Sequence, residues 1–346
     1  MYIRDSKCIS SQPTYSNGIE DKSIVEHSGT KYFAIEPKYN ELIPVGQFRR
    51  IGKAVRMGIG AGLPLLKNNP KVDGMIIGSA NGGLEDCISF LNQIIDYDEG
   101  TLTPTNFVQS TPNAVTGYLA ITTKNHCYSN THVQRGLAFE NALLDASMLM
   151  EQEQAKSVLV GNIEEISTFN YNIDKKAGFF KDEETCSAQL IGSNTPGTVC
   201  GEGATMFIVQ PFKEDALAEI VDIDQISHPE NDDINQKLNL FLRRNNLQHS
   251  DIDTLFLGYN GDCSTDHHYN NLREQFKDVS VCSFKNLSGE YPTASAFALW
   301  MATEAISGKP IPQEAVMQKG SKEIKTVLIY NHYIGLEHGF ILVRKI

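Results

Sequence analysis

Tryptophan occurs once in 346 residues, no two cysteines stand in Cys-x-x-Cys spacing, and there is no tract of low complexity. No stretch approaches the roughly 20 apolar residues that span a bilayer, so membrane insertion is not expected. Seven cysteines, at positions 8, 87, 127, 186, 200, 263 and 282, are odd in number and scattered. That argues against a disulfide framework and for idle thiols in a reducing compartment. Positive charge is short as well, with 30 Lys and Arg against 42 Asp and Glu and a net charge of −12. Phosphate backbones demand a basic surface, so no broad contact with nucleic acid is expected. The opening residues, Met1 to Tyr15, carry charge where an export signal needs an apolar run. A cytoplasmic protein is the expectation.

What is present is an ordinary globular mix, 41% hydrophobic and 21% charged, with length for one large or two moderate domains. Short apolar runs alternate with helix-length segments, the rhythm of an α/β protein. Val72 to Ile77 reads as a buried strand that turns through Gly78-Ser-Ala-Asn-Gly-Gly83 into a helical segment, Leu84 to Ile95. Ser157 to Val160, Ala204 to Val209, Val327 to Tyr330 and Phe340 to Val343 read as further strands. Gly136 to Met150 is helical and apolar on most sides, so it belongs between layers or at a subunit interface. Pro292 to Ser307, rich in small residues, allows close backbone approach, and Gly308 is a plausible stop.

Asp73-Gly-Met-Ile-Ile-Gly78 has an echo in Asp253-Thr-Leu-Phe-Leu-Gly258, and Ser157-Val-Leu-Val-Gly161 in Thr326-Val-Leu-Ile-Tyr330. Two halves, 1–212 and 213–346, meeting near Gln210 to Asp215, explain both pairs; chance likeness between α/β units is the alternative.

Taken in order, these segments resemble the β-ketoacyl synthases of the thiolase superfamily. Gly78 to Gly83 is similar to the family's early glycine turn and Thr111-Pro-Asn113 to its Leu-Pro-Asn. Gly161-Asn-Ile-Glu-Glu165 is similar to its Gly-x-x-Asp-Glu, Gly201-Glu-Gly-Ala204 to its Gly-Glu-Gly-Ala, and Ser283-Phe-Lys-Asn-Leu-Ser-Gly289 to its Ser-x-Lys-x-x-x-Gly. The resemblance implies two topologically similar halves in αβαβα layers, and a dimer. It also implies a chain that meets acyl groups on the phosphopantetheine of an acyl carrier protein and binds no cofactor or metal of its own.

The family condenses acyl chains with a cysteine thiolate at the start of its central helix and two imidazoles that stabilise the developing anions. Matching Asn130-Thr-His-Val-Gln-Arg-Gly-Leu137 to the family's Ser-Thr-Ala-Cys-Ala-Ser-Gly-Leu puts Val133 at the nucleophile; a one-residue slip puts Gln134 there but breaks the Gly136-Leu137 match. Counting from Asp251-Ile-Asp253 puts Gly258 at the first imidazole, and one or two gaps reach Tyr259 or Asn260. Glu290 stands at the second, with Lys285 retained. The resemblance is therefore to a chain-length-factor-type subunit without the Cys-His-His set. Such a subunit pairs with an active ketosynthase in a heterodimer, or with itself; an acyltransferase or decarboxylase using Glu290, Lys285 or His132 is the second possibility. His132, Gln134, Phe139, Trp300 and Tyr333 are candidates to line an acyl tunnel. His332 and His338, near the chain's end, are expected to reshape a pocket. Arg49, Lys53 and Arg56 fall at i, i+4 and i+7 of an expected helix, a basic stripe for docking a carrier protein or simply a solvated face. Cys127, Cys200 and the His267-His268 pair read as structural, and Gly58-Ile-Gly-Ala-Gly62 lies in helical sequence, which is wrong for a dinucleotide turn. The pathway, whether fatty acid, polyene pigment or another polyketide, is not fixed by these residues.

Overall fold

In a computed structural model, residues 1–17, 24–230 and 232–346 are described. Eleven strands form one sheet: β1 (Tyr2–Ile9), β2 (Gly74–Gly78), β3 (Tyr128–His132), β4 (Val158–Glu164), β5 (Gly203–Gln210), β6 (Ala218–Ser227), β7 (Thr254–Leu257), β8 (Ser280–Ser283), β9 (Val316–Gln318), β10 (Thr326–Tyr333) and β11 (Glu337–Arg344). Their order is β9-β8-β7-β10-β11-β6-β1-β5-β4-β2-β3. A junction of two residue pairs, Tyr2 with Glu219 and Ile3 with Ala218, joins β1 to β6.

On either side of that junction the topology repeats. β1 runs antiparallel to β5, β5 antiparallel to β4, and β4, β2 and β3 run parallel. β6 runs antiparallel to β11, β11 antiparallel to β10, and β10, β7 and β8 run parallel. The echoed segments therefore sit on equivalent strands, β2 with β7 and β4 with β10. Both β2 and β4 are buried along their whole length, which is why they read as unbroken apolar runs rather than alternating ones.

Helices fill three layers. α1 (Lys53–Asn68) and α3 (Ala114–Thr123) cover the outer face of the first half, with α2 (Leu84–Asp96) between them in sequence. α4 (Ala138–Glu151) and α7 (Ser295–Ile306) lie between the two halves, and α5 (Asp233–Arg244) with α6 (Asp266–Arg273) covers the far face. This is the αβαβα arrangement of a thiolase-like fold. The middle layer demands small side chains: Ala296, Ala298 and Ala302 of α7 are fully buried. Each large side chain that layer encloses, such as Phe139 or Phe297, contributes about 1.5–3 kcal/mol by leaving water. The glycines of α1 have a packing reason too. A Cβ on Gly58 would stand 2.4 Å from Val115, and one on Gly62 2.9 Å from Leu119, so the stripe is where α3 nests.

No helix among the described residues is long and apolar enough to cross a membrane.

Candidate functional site

The carboxyl ends of β2, β4 and β7 open onto a cavity of about 270 Å³. In α/β sheets this is where ligands lie, because loops leave the strands there without side-chain cover. Asn81 from the glycine turn, Glu164 and Glu165 after β4, Asn260 and Asp262 after β7, and Glu290 all reach it.

Two of the motif glycines build one wall. A Cβ on Gly201 would lie 2.2 Å from the Ser288 carbonyl and 2.7 Å from Gly289 Cα, and Gly289 itself has φ 73°. Only residues without a side chain allow backbones to cross so closely. The crossing is fastened by Gly201 N–H to the Glu290 carbonyl (2.8 Å) and Glu290 N–H to the Val199 carbonyl (2.8 Å). Glu290 is thereby fixed at the cavity. Glu202 between the glycines is a structural knot: its carboxylate accepts from the Ala34 and Ile166 amides, both close to 2.9 Å, and from Lys53 Nζ. On the other wall, Glu164 accepts from the amides of Ala80 (2.6 Å) and Asn81 (3.0 Å) and from Thr293 Oγ1. The Glu-Glu motif thus clamps the glycine turn, which no spacing argument reveals.

Burial governs the charge states here. It pushes the Glu164 carboxyl up to about 8, against the pull of its amide donors, and Glu165 up to about 7. Lys285 Nζ donates to Glu290 Oε2 (2.7 Å) and to the His332 carbonyl (2.9 Å), and Asn260 Nδ2 donates to the same Glu290 oxygen (2.7 Å). Burial pulls Lys285 down and Glu290 up, and each charge draws the other back. Glu290 Oε1 has no partner, nor have Glu165 Oε1 and the Tyr291 hydroxyl. The one thiol at the cavity, Cys200, is pushed well up by burial.

The other positions singled out in the sequence fall as follows. Val133 is 51% exposed in the turn from β3 to α4. Gly258, at the end of β7, has no room for a side chain: a Cβ would meet Asn331 Oδ1 at 2.4 Å, the Tyr269 hydroxyl at 2.5 Å and Lys285 Cε at 3.2 Å. Of the five tunnel candidates the cavity takes Tyr333 alone. Phe139 packs on Phe207 in the central core, and Trp300 stacks on Phe297 there, since α7 is buried on every side. His132 points at Asp145 (2.9 Å), and Gln134, exposed, accepts from Asn141 (3.0 Å). His332 and His338 face each other across β10 and β11 and are fully buried in an aromatic stack rather than at the cavity.

The basic stripe also changes. Gly52 caps α1, which starts at Lys53, so Arg49 is off the helix. Lys53 is paired with buried Glu202, and Arg56 with Glu36 at 3.1 Å. Arg49 alone of the three makes no ion pair among the described residues.

Sequence reasoning passed over Tyr171 and Asp174, which reach the cavity from one face of the helix Thr168–Lys176. Their i, i+3 spacing directly after the Glu-Glu motif was the available signal.

A family model described as Beta-ketoacyl synthase, N-terminal domain, matches residues 27–200. This chain belongs to the β-ketoacyl synthase family. The match takes in the glycine turn, the Glu-Glu clamp and the β3–α4 turn. The comparison with curated proteins finds no match. Solved structures share the ketosynthase fold at low identity. A β-ketoacyl synthase from Burkholderia phymatum STM815 superposes with TM-score 0.79 at 13% identity, covering 100% of this chain and 99% of that one. The ketosynthase ApeO in complex with its chain length factor ApeC, from Xenorhabdus doucetiae, gives 0.78 at 13%, covering 100% and 98%. A type II polyketide acyl-carrier protein in complex with its ketosynthase gives 0.74 at 15%, covering 100% and 99%.

Proposed function

We propose that this chain is a chain-length-factor-type subunit of fatty-acid or polyketide assembly, pairing with an active ketosynthase rather than condensing alone. One observation carries the reading: among the residues lining the cavity there is a single thiol, kept protonated by burial, and no imidazole. Condensation needs both. At Val133 an aliphatic side chain cannot be acylated, and at Gly258 the neighbours leave no space for a ring.

The free edge of the sheet supports a partner. β3 is the last strand of its half, and an unpaired edge is a template for another chain. Around it stand exposed apolar groups, Tyr128 and Val133 on the strand and its turn, Met148 of α4 and Ile121 of α3. The Xenorhabdus doucetiae neighbour is by its description a ketosynthase with its chain length factor, which gives such pairing a precedent in the fold. An acyl carrier protein would bring the phosphopantetheine-bound chain to the pair, and of Arg49, Lys53 and Arg56 it is Arg49 that makes no ion pair among the described residues.

Glu290 carries a second reading. A buried carboxyl whose outer oxygen is unpartnered and whose inner oxygen is held by Lys285 is equipped for proton transfer. An acyltransferase or malonyl decarboxylase would use it so. The two readings part in one experiment: the purified chain is incubated with malonyl- and acyl-loaded carrier proteins and read by intact mass spectrometry, then co-expressed with a ketosynthase that has an intact Cys-His-His set. An unmodified chain that elutes as a heterodimer supports the partner. Acylation or release of carbon dioxide by the isolated chain supports the enzyme, and a stable homodimer that ignores every such ketosynthase removes the partner reading.

A further inference from the structure

The cavity's lining has a one-sided chemistry that the partner reading does not use. Five carboxyl groups reach it, Glu164, Glu165, Asp174, Asp262 and Glu290, and no lysine, arginine or histidine does. An acidic cluster alone means little, but here polar atoms are left waiting. Glu165 Oε1, Glu290 Oε1 and the Tyr291 hydroxyl have no hydrogen-bond partner, and these residues are 8%, 4% and 3% exposed. A buried acceptor left unmade costs free energy of about 1–3 kcal/mol, so each is a place where a donor gains. Nearby cations are already engaged. Lys285 stands behind Glu290, Lys181 Nζ donates to Thr195 and to the Gly261 carbonyl, and Arg135 lies over the Tyr333 ring at 5.6 Å.

We propose that this cavity binds a primary ammonium group, either of a free small amine or at the end of a carrier-borne chain. An ammonium brings three N–H donors that can be shared among acceptors set apart from one another. A bare metal ion needs ligands converging on one point, and among the described residues no such group occurs. The Tyr171 ring is already occupied, with Phe180 stacked on it at 5.1 Å and Lys31 Nζ 3.8 Å from its centroid, so a guest would be held by the oxygen acceptors and not by a ring face. At about 270 Å³ the space sits just under the ordinary range for small-molecule sites. A malonyl carboxylate, itself an acceptor, would find no cation among the lining side chains. The inference concerns what the isolated chain binds and does not depend on its pairing with a ketosynthase.

The test is isothermal titration calorimetry of the purified full chain at low salt with 1,4-diaminobutane, 4-aminobutyryl-pantetheine, butyryl-pantetheine and malonyl-pantetheine. The expected result is about tenfold tighter binding of an amine probe than of butyryl-pantetheine, the worth of one charge-assisted hydrogen bond, and no heat from malonyl-pantetheine. Binding of 1,4-diaminobutane assigns a free amine as the guest, and binding of the aminoacyl probe alone assigns a carrier-borne one. Asp174→Asn, on an exposed helix and outside the clamp, should weaken amine binding with an unchanged unfolding midpoint; Glu165→Gln is the second variant. No amine probe binding more tightly than butyryl-pantetheine, or no heat from either amine, overturns the proposal.

Discussion

The cavity wall and the aromatic stack that adjoins it are both buried and both polar, yet they handle charge in opposite ways. The wall keeps its carboxyls where a lysine or backbone amides face them: Glu290 against Lys285, Glu164 against the Ala80 and Asn81 amides. The stack, made of Tyr269, Tyr330, His332 and His338, offers its imidazoles no acid. Tyr269 lies on His332 at 4.4 Å, Tyr330 hydrogen-bonds His338 Nδ1 at 2.9 Å, and His338 Nε2 meets the Gly335 carbonyl at 3.1 Å. One nitrogen accepting and the other donating fits a neutral ring. Burial holds His338 down to about 4 and His332 well below its usual value. In this molecule the buried imidazoles serve packing, and the groups that reach the cavity are acids.

The largest break in that contrast comes from Lys285. Lys285→Met leaves Glu290 buried with Asn260 as its remaining donor, and losing one member of a buried pair costs about 3–5 kcal/mol. Urea denaturation at neutral pH should show it. The double change Lys285→Met with Glu290→Leu should recover most of the loss, because two apolar groups need no partner. A single variant costing under about 1 kcal/mol would mean that the wall is not held by charge. Next comes Gly258→Ala, at the seam where Tyr269 of the stack meets Lys285 of the wall. The added Cβ overlaps Asn331 Oδ1 and the Tyr269 hydroxyl, so overpacking of about 1–3 kcal/mol is expected in the same assay.

The contrast was half legible in the sequence. The strands were readable because β2, β4 and β10 are apolar runs, and the duplication because equivalent strands share a local pattern. Lys285 and Glu290 were found by their place beside Gly289. The crossing of Gly201 with Gly289 was not, since nothing in one motif announces that a segment some 90 residues away in the sequence will touch it. The basic stripe misled for a physical reason: helical spacing was counted through Gly52, where the helix starts. Trp300 misled because a large ring in a small-residue helix suits a core as well as a tunnel.

Titration separates wall and stack by sign. Glu164 and Glu165 are raised by burial to about 8 and about 7. A carboxyl held above its unfolded value keeps a proton that the unfolded chain has lost, so its contribution is full below about pH 4.5 and disappears as pH rises through its folded value. His338, held down to about 4, works the other way: the unfolded chain takes up a proton below about pH 6.5 that the folded chain refuses, so stability falls as the solution is acidified from there. Between about pH 4.5 and 6.5 the His338 contribution therefore opposes that of the two carboxyls, and above about pH 6.5 the carboxyls act unopposed by it, so unfolding midpoints should fall as pH rises from about 6.5 to 8. Each group bends the curve by at most about 1.4 kcal/mol per pH unit. Glu164→Gln should flatten the fall above about pH 6.5, whereas His338→Phe should leave that fall unchanged and steepen the curve between about pH 4.5 and 6.5. If both variants flatten the fall with rising pH, the two regions do not differ as described.

The smallest effect on stability is expected at Val133, which lies outside both regions. Val133→Cys replaces an exposed side chain of similar size, so the unfolding midpoint should move by no more than about 0.5 kcal/mol. What it tests is whether sulfur alone restores condensation. The thiol would stand in the β3–α4 turn beside His132, whose ring is held by Asp145 at 2.9 Å, while the fully buried histidines are locked in the stack and Gly258 has no room for a side chain. A cysteine without a base or a cationic neighbour titrates near its ordinary value and attacks slowly at pH 7. Radiolabelled acyl transfer from a loaded carrier protein should stay at background in this variant. Condensation by Val133→Cys alone would show that an imidazole serves the turn after all, and the division between a wall of acids and a stack of packing imidazoles would have to be withdrawn.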